Sequence, residues 1–165
     1  MTNRLHSRPA PAIDATSAAT AAAQLRTVPV RVTAARVDVL AVLLAARSAV
    51  SHQDIQDQLA TLDRVTLYRA LDCLTDAGLA HKIAGDDRVF RYSAGSNGDL
   101  RHPHGHFKCT RCGHLYCLEP ASGGTAGWQQ QLHDSLRQTL GAGFQSHDIE
   151  LTIKGWCAQC ASISD

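Results

Sequence analysis

The sequence predicts an α+β protein with a helical first half and a smaller second half rich in metal-ligating residues. Three amphipathic helical segments and two extended segments occupy the first half, whereas strand and helix patterns alternate in the second. A stretch rich in Gly, Ser and Asn separates the halves, and two Cys-x-x-Cys pairs frame the second. The predicted ranges are a flexible tail (1–27), a helical domain ending in a hairpin (28–92), a hinge linker (93–101) and a metal-binding domain (102–165).

Composition excludes several classes of protein. The chain has 165 residues and a formal net charge of +1, so its overall charge indicates neither an acidic nor a basic partner. Its apolar runs are shorter than the roughly 18 residues of a membrane span, and its N-terminus has no apolar segment typical of a secretion signal. We therefore expect a cytoplasmic protein without a membrane partner, whose reduced cysteines serve as metal ligands or buried apolar residues.

The first predicted helix lies in "TAARVDVLAVLLAA", which follows the flexible tail. Val37, Leu40, Ala41 and Leu44 recur at the spacing of one helical face, and Thr33 is a suitable N-terminal cap. The preceding residues are rich in Ala, Ser and Thr and contain few large apolar side chains, which favours disorder with at most a frayed helix.

Two more helices and a hairpin follow. Ser51 and Asp54 have the spacing of a capping box, Asp63 can cap the third helix, and Gly78 closes it. The segments "LAHKIA" and "RVFRYS" favour strands joined by a turn at 85–87. Three short helices followed by a hairpin predict a winged helix-turn-helix, whose third helix enters the major groove of DNA.

The start of the third helix carries side chains suited to DNA. Leu67, Leu71 and Leu74 face the core, which leaves polar residues for the opposite face. Arginine pairs with guanine or phosphate, and hydroxyl groups reach phosphate or base edges. The predicted contacts are Arg64, Thr66, Tyr68 and Arg69. A solvated helix face that happens to contain two arginines is the alternative interpretation.

The two Cys-x-x-Cys pairs predict a structural zinc site. Cys109, Cys112, Cys157 and Cys160 supply four thiolates at a spacing that suits tetrahedral zinc. A closed shell of four thiolates leaves no position for a reactive water, so it favours a structural role. Thioredoxin-like redox motifs are the alternative, although neither pair lies between a strand and a long helix.

Histidines crowd the strand that carries the first cysteine pair. His102, His104 and His106 occupy alternate positions, so they share one face of an extended strand. Cys117 lies on the returning strand and can reach the same face. Imidazole and thiolate groups together favour zinc over Mg, Ca or Mn, which indicates a second metal site. A face of solvated histidines is the alternative.

At this point the chain resembles the Fur family of metal-dependent transcriptional regulators. The matching segments are "RVTAAR" (31–36), "TLYRALDCLTDAGL" (66–79), "HGHFKCTRCG" (104–113) and "GWCAQC" (155–160). The resemblance implies a winged-helix domain, an α/β dimerisation domain at 102–165, and a homodimer that binds a palindromic operator in double-stranded DNA when metal is bound. It also implies that Tyr68 and Arg69 contact DNA, that Arg36 lies beside phosphate, and that the four cysteines hold one structural Zn²⁺ per chain.

Within this family the ligand pattern is most similar to the zinc-uptake regulators (Zur). The resemblance implies regulatory ligands at His81, just after the recognition helix, and at His102, His104 and His106. Cys117 replaces a glutamate that is usual in the iron and zinc sensors, and a thiolate moves selectivity further toward zinc.

Several positions depart from the known branches. Arg91 stands where iron and peroxide sensors have a carboxylate ligand, and Ala49 replaces a ligand histidine of the iron branch, with His52 displaced. Tyr92 stands where the zinc branch has a cysteine. His147 lies near a late ligand position of the family, which a bulge could restore.

The function expected from these residues is a zinc-responsive transcriptional regulator, a repressor of zinc-uptake genes whose regulatory Zn²⁺ joins His81 to the ligands beyond the hinge. No HExxH motif, paired carboxylates or nucleophile elbow is present, so we expect neither an enzyme nor a small-molecule substrate. The alternatives are a Fur-family sensor of iron, manganese, nickel or peroxide, a constitutive DNA-binding protein with structural zinc only, and a redox sensor acting through Cys117.

Overall fold

The computed structural model describes two units built from twelve helices and strands. The described residues are 14–85, 87–95, 105–118, 125–145 and 151–162, with the side chains of the 125–140 helix described from residue 130. The first unit contains α1 (Ala15–Arg26), α2 (Ala34–Ala45), β1 (Val50–Ser51), α3 (His52–Gln58), α4 (Arg64–Asp76), β2 (Ala80–Ala84) and β3 (Phe90–Ala94). The second contains β4 (Gly105–Cys109), β5 (Leu115–Leu118), α5 (Thr125–Leu140), β6 (Leu151–Gly155) and α6 (Ala158–Ala161). This arrangement confirms the predicted α+β class.

Helix α1 corrects the prediction that residues 1–27 form a flexible tail. Asp14 caps the helix by accepting a hydrogen bond from the Ser17 N–H at 2.6 Å, and Ala21 and Leu25 are completely buried. Alanine has the highest helix propensity, but an isolated helix of this length is marginal in water. Packing of Ala21 and Leu25 against α2 stabilises it, so the first unit begins at least as early as residue 14.

The predicted caps of the next three helices are confirmed. The Thr33 hydroxyl accepts from the Arg36 N–H at 3.4 Å, and Ser51 and Asp54 form a reciprocal capping box. Hydrogen bonds from Thr66 to the Asp63 carboxylate cap α4 and lower the pKa of Asp63. Gly78 follows α4 with a φ of 77°, a left-handed conformation that glycine adopts without steric cost.

The wing is a three-stranded antiparallel sheet in the order β1-β3-β2. The two-residue β1 was not predicted, because so short a strand carries no periodic pattern of its own. Ser93 and Ala94 belong to β3, which corrects the predicted start of the hinge linker from residue 93 to beyond Ala94. At the wing turn, hydrogen bonds from Arg91 at 2.7 and 3.0 Å hold the pKa of Asp87 well below its usual range.

The core of the first unit lies between its helices and the wing. Its fully buried large side chains are Leu25, Val39, Leu40, Val42, Leu43, Ile55, Leu67, Leu71 and Leu74. Tyr92 of β3 packs on the same cluster and is only 3% exposed, and this burial raises its pKa. The core holds α4 against α2 so that the opposite face of α4 remains free at the surface.

The second unit is a three-stranded sheet in the order β5-β4-β6, with β4 and β5 antiparallel and β4 and β6 parallel. The parallel pairing places Cys109 opposite Gly155, so the end of β4 meets the end of β6. Helix α5 makes no extensive contact with the other described elements. Among the described residues, no helix is both long and apolar enough to cross a membrane.

The two units meet through a small apolar contact. The Ala49 N–H donates a hydrogen bond to the Leu115 carbonyl at 2.7 Å. Ala49, Ile83 and Leu115 are all at least 94% buried, and Cys117 packs against them. The contact therefore joins the edge of the winged-helix unit to β5 of the second unit.

Candidate metal centres and DNA-reading face

The four cysteines of the two Cys-x-x-Cys pairs converge at the ends of β4 and β6. Their Sγ atoms all lie within 4.8 Å of one another, and those of Cys112 and Cys157 are 3.9 Å apart. Cys109 ends β4, and Cys112 follows in a turn whose Gly113 has a φ of 74°. Cys157 caps α6, a short helix that contains Cys160. The predicted clustering of these cysteines is thus confirmed.

The protonation of the cluster is uneven. Burial raises the pKa of the Cys109 thiol, but hydrogen bonds from backbone N–H groups of Cys112 and Cys157 outweigh it and lower that pKa to about 6. Burial and the neighbouring thiols raise the pKa of Cys160 to about 12, and burial also raises that of Cys112. Since metal binds thiolates, an incoming ion must displace protons from Cys160 and Cys112, and binding weakens as the pH falls.

The donor set fits a tetrahedral zinc ion. Zn–S bonds of about 2.3 Å in a tetrahedron place sulfur atoms about 3.8 Å apart. The 3.9 Å separation of the Cys112 and Cys157 sulfurs agrees with that value, and the 4.8 Å limit for the group requires little rearrangement. The Cys157 N–H already points at this cluster and donates to Cys109 Sγ at 3.4 Å. Four soft donors without a carboxylate favour zinc over Mg, Ca or Mn.

A second set of predicted ligands lies around a cleft of about 390 Å³ between the two units. Cys117 lines it from β5, and Ser93, Ala94 and Gly95 line it from the end of β3. The His81 ring lies beside this wall, because a Cβ placed on Gly95 would be 3.2 Å from His81 Nε2. Cys117 and the wall beside His81 therefore come from different units and line the same cleft.

His106 lies in the second sheet, next to the cleft residue Cys117. It lies directly opposite Cys117 in the antiparallel β4–β5 pair, so both side chains project from the same face. His106 is 7% exposed. Three other predicted ligands, His102, His104 and His147, lie outside the described residues. Among the described residues, the four cysteines are the one group of three or more metal-binding side chains that converge, so His81, His106 and Cys117 do not form such a group.

The positions that depart from the known branches have structural roles. His81 pairs with Ser93 across the wing sheet, so Ser93 faces the cleft and Tyr92 faces the core. Ala49 is buried in the contact between the units. The His52 ring lies 5.5 Å from the Tyr68 ring, at an angle of 34°, so it supports the recognition helix. These contacts place Tyr92 in the core and His52 beside Tyr68, and neither residue lines the cleft.

The exposed face of α4 carries the predicted DNA contacts. Arg64, Tyr68 and Arg69 are exposed, and Thr66 is half-buried at the capped N-terminus. Arg36, in the first turn of α2, is partly exposed, and its guanidinium donates to the Arg31 carbonyl at 2.6 Å. An N-terminal helix end presents N–H groups and a partial positive charge, which favours a phosphate nearby.

Two features of these sites were missed in the sequence. Val65 is 58% exposed on the same face of α4, where an apolar side chain suits contact with a thymine methyl group. Its position opposite the leucine face was a signal for exposure. His114 Nδ1 lies 3.2 Å from Cys112 Sγ, so this histidine belongs to the cysteine cluster. Only the turn at Gly113 brings the two side chains together, and sequence spacing carries no such information.

Comparison with known proteins agrees with this architecture. A family model for the ferric uptake regulator family matches residues 27–152. The transcriptional regulator FurA of Mycobacterium tuberculosis (strain ATCC 25618 / H37Rv) is 32% identical over 151 residues, covering 87% of this chain and 91% of FurA. A zinc uptake regulator complexed with zinc and DNA has a TM-score of 0.67 at 25% identity, covering 91% of this chain and 98% of that one. Holo XcZur has a TM-score of 0.65 at 26% identity, covering 88% and 97%.

A winged helix with an exposed recognition face, joined to a sheet that gathers four cysteines, defines a DNA-binding regulator that also binds metal. The family match extends across both units. The chain belongs to the ferric uptake regulator family and is a metal-responsive DNA-binding transcriptional regulator. Members of this family are regulators of transcription and not enzymes, as the sequence analysis predicts.

Proposed function

We propose that this regulator senses zinc and represses zinc-uptake genes, with Zn²⁺ in both the cysteine cluster and a regulatory site. The observation that carries the proposal is the cleft between the units, which Cys117 lines from the second sheet and which Gly95, beside the His81 ring, lines from the first unit. Cys117 and His106 share one face of the second sheet, which adds a third donor at the same edge. Imidazole and thiolate donors together suit zinc.

The surroundings of the cleft support zinc over an iron or peroxide sensor. Arg91 replaces the carboxylate expected there, and its guanidinium is bonded to Asp87 at 2.7 Å. Ala49, in place of a ligand histidine, is 94% buried and offers no donor atom. Hard carboxylate ligands favour Fe(II) and Mn(II) more than thiolate does, so these changes shift the selectivity toward zinc.

The chain's own residues supply the switch. His81 moves with the winged helix, whereas Cys117 and His106 move with the second sheet. When one ion holds residues from both units, the range of relative orientations narrows, and the orientation that suits adjacent major grooves is selected. Arg64, Thr66, Tyr68 and Arg69 then face the bases and Arg36 faces phosphate. A coupling of about 1–3 kcal/mol is typical of such switches.

The proposed active form is a homodimer on a palindromic operator. Apolar side chains are exposed along the outer strand of the second sheet, where Leu151 is 36%, Ile153 47% and Trp156 57% exposed. Leu140, at the end of α5, is 63% exposed, and α5 has no extensive contact within the described chain. Among the described strands, β6 is also at the edge of its sheet and pairs on one side only. Such a combination favours burial against a second copy.

A charge on the outer strand is expected to disrupt this dimer. Ile153→Arg places a guanidinium in the apolar face. We expect the dissociation constant of the dimer to rise by at least about 10-fold, because burial of an unpaired charge is costly. Thr152→Arg adds the same charge to the other face of β6 and serves as the control. Sedimentation velocity of the two variants measures the effect. Equal dimer fractions would place the interface elsewhere.

The metal assignment is tested by DNA binding at buffered free concentrations of Zn, Fe(II), Mn and Ni. A duplex selected by the protein from a random pool serves as the probe, and fluorescence anisotropy reports binding. We expect half-maximal binding at a lower free concentration of Zn than of any other ion. Arg69→Ala should keep the metal content and lose DNA binding, which isolates the recognition helix. A response to Fe(II) at lower free concentration contradicts zinc sensing, and metal-independent binding supports a constitutive regulator.

A further inference from the structure

An arginine–tryptophan pair spans the two Cys-x-x-Cys segments. Arg111 lies between Cys109 and Cys112, and Trp156 directly precedes Cys157. The guanidinium carbon of Arg111 lies 4.3 Å from the centre of the Trp156 ring. Arg111 Nη1 also donates a hydrogen bond to the Cys160 carbonyl oxygen at 2.7 Å. Arg111 of the first segment therefore contacts Trp156, directly before the second segment, and Cys160, at its end.

Besides the approach of the cysteine sulfurs, three hydrogen bonds that involve the backbone join the segments. The Thr110 N–H donates to the Gly155 carbonyl at 2.8 Å, and the Thr110 hydroxyl donates to the same oxygen at 3.2 Å. The Cys157 N–H donates to Cys109 Sγ at 3.4 Å. These bonds hold the start of the second segment. Cys160 lies further along, and Arg111 donates to its carbonyl group. Substitution of Arg111 therefore removes this link and the Trp156 contact while the backbone bonds of Thr110 and Cys157 remain.

The positive charge of Arg111 has a second effect on the cysteine cluster. Four thiolates around a divalent ion carry a net charge of about −2, which a nearby cation stabilises. Arg111 is held in place by the Trp156 face and the Cys160 carbonyl, and its planar guanidinium suits both contacts at once. An ammonium group keeps the charge but lacks this planar geometry.

We propose that Arg111 is a positioning residue that latches the Cys157–Cys160 segment over the metal and slows its release. Trp156 orients the latch through its ring face. The proposal rests on the assignment of the cysteine cluster as a zinc site and extends it, because it separates retention of zinc from the capacity to bind it. Loss of the Cys160 link allows this thiolate to leave first, which opens a path for a chelator.

The test measures zinc transfer from the full-length, zinc-loaded protein to a chromogenic chelator, with total zinc determined beforehand. Arg111→Ala should transfer the cluster's zinc about 10–100-fold faster, the range typical of a lost partner around a metal ligand. Arg111→Lys and Trp156→Leu should lie between Arg111→Ala and the wild type. Arg137→Ala, an exposed arginine of α5, is the matched control and should leave the rate unchanged.

A second readout distinguishes a latch from general destabilisation. The latch predicts that Arg111→Ala transfers zinc faster while its unfolding rate is unchanged. It also predicts that the rate of zinc transfer rises with chelator concentration, and that adding Trp156→Leu to Arg111→Ala causes no further acceleration. Wild-type transfer rates in the folded variants overturn the proposal, as does transfer at the rate of global unfolding. If Arg111→Ala does not fold, wild-type rates for Arg111→Lys and Trp156→Leu overturn it equally. The readout is independent of DNA binding, so it stands apart from the identity of the sensed metal.

Discussion

Replacement of Cys109 by Ser is expected to remove one zinc ion per chain and to unfold the second unit. Cys109 is completely buried, and its Sγ accepts a hydrogen bond from the N–H of Cys157 at the other end of the cluster. Structural zinc contributes on the order of 10 kcal/mol of binding free energy in small zinc domains, and that energy stabilises the fold. A serine hydroxyl is not a thiolate and does not replace this ligand.

The small size of the second unit makes this effect large. The side chains of β6 are mostly exposed, and α5 makes no extensive contact with the sheet, so few buried contacts compensate for the lost metal. We expect loss of the sheet signal in circular dichroism and loss of the dimer in sedimentation, while the first unit retains its helices. The core of that unit is separate from the cluster.

The matched control is Cys73→Ser, which makes the same chemical change outside the cluster. Cys73 lies on α4, half-buried and apart from the four converging cysteines. It should keep the full zinc content and the dimer. Metal analysis, circular dichroism and sedimentation are measured on both variants. Normal zinc content and folding in Cys109→Ser would falsify the four-cysteine assignment.

Replacement of His81 by Ala is expected to abolish the effect of zinc on DNA binding and leave the dimer and the cysteine cluster intact. The His81 ring lies beside Gly95 at the wall of the cleft in the winged-helix unit, whereas Cys117 lines the cleft from the second sheet and pairs with His106. In the proposed switch, the loss of His81 removes the ligand through which one ion joins the two units. The zinc-dependent gain in DNA affinity, typically about 5–150-fold for such coupling, should disappear.

His133→Ala is the control for this second experiment. His133 lies on α5 and contacts Phe144 at 5.0 Å between ring centres, away from the cleft. Anisotropy titrations of a selected duplex with and without buffered zinc give the coupling for each variant. The four cysteines of His81→Ala should still hold one zinc ion per chain. An undiminished zinc response in that variant contradicts a switch built across the cleft.

The sheet contact between Ala49 and Leu115 bears on how far the units can move. In the part of the chain that the structure describes, the Ala49–Leu115 hydrogen bond of 2.7 Å and a small apolar cluster join them. Hydrogen bonds contribute about 1 kcal/mol each, so the contact is weak enough for a metal to bias. The same contact places Cys117 beside the winged-helix unit, where it can face His81.

Local signals carried much of the fold from the sequence. The caps at Thr33, Ser51 and Asp63 are bonds between residues three apart, so their residue types and spacing are sufficient to predict them. The two Cys-x-x-Cys pairs are also local, and four ligands in pairs leave few ways to satisfy a tetrahedral ion. The recognition helix was predictable because its leucines and its arginines lie on opposite faces.

Other features depended on partners distant in the chain. Helix α1 consists largely of alanine, and its stability depends on the burial of Ala21 and Leu25 against α2, which composition does not reveal. Strand β1 exists because Val50 and Ser51 pair with Tyr92 and Arg91 across the wing. Residue types predicted disorder for the segment that forms α1 and no strand for the segment that forms β1.

The α+β class, the helix caps, the cysteine cluster and the family resemblance were all predictable from the amino-acid sequence, because each depends on residue type at short range. Three features became visible only in the folded chain: α1 belongs to the first unit, Cys117 and the wall beside His81 line one cleft, and Arg111 contacts Cys160. His81 and Cys117 are 36 positions apart in the chain, and Arg111 and Cys160 are 49 positions apart. Their arrangement therefore follows from how the strands pair and not from any local pattern. Chain topology, through the parallel β4–β6 pair and the Ala49–Leu115 contact, brings those residues together.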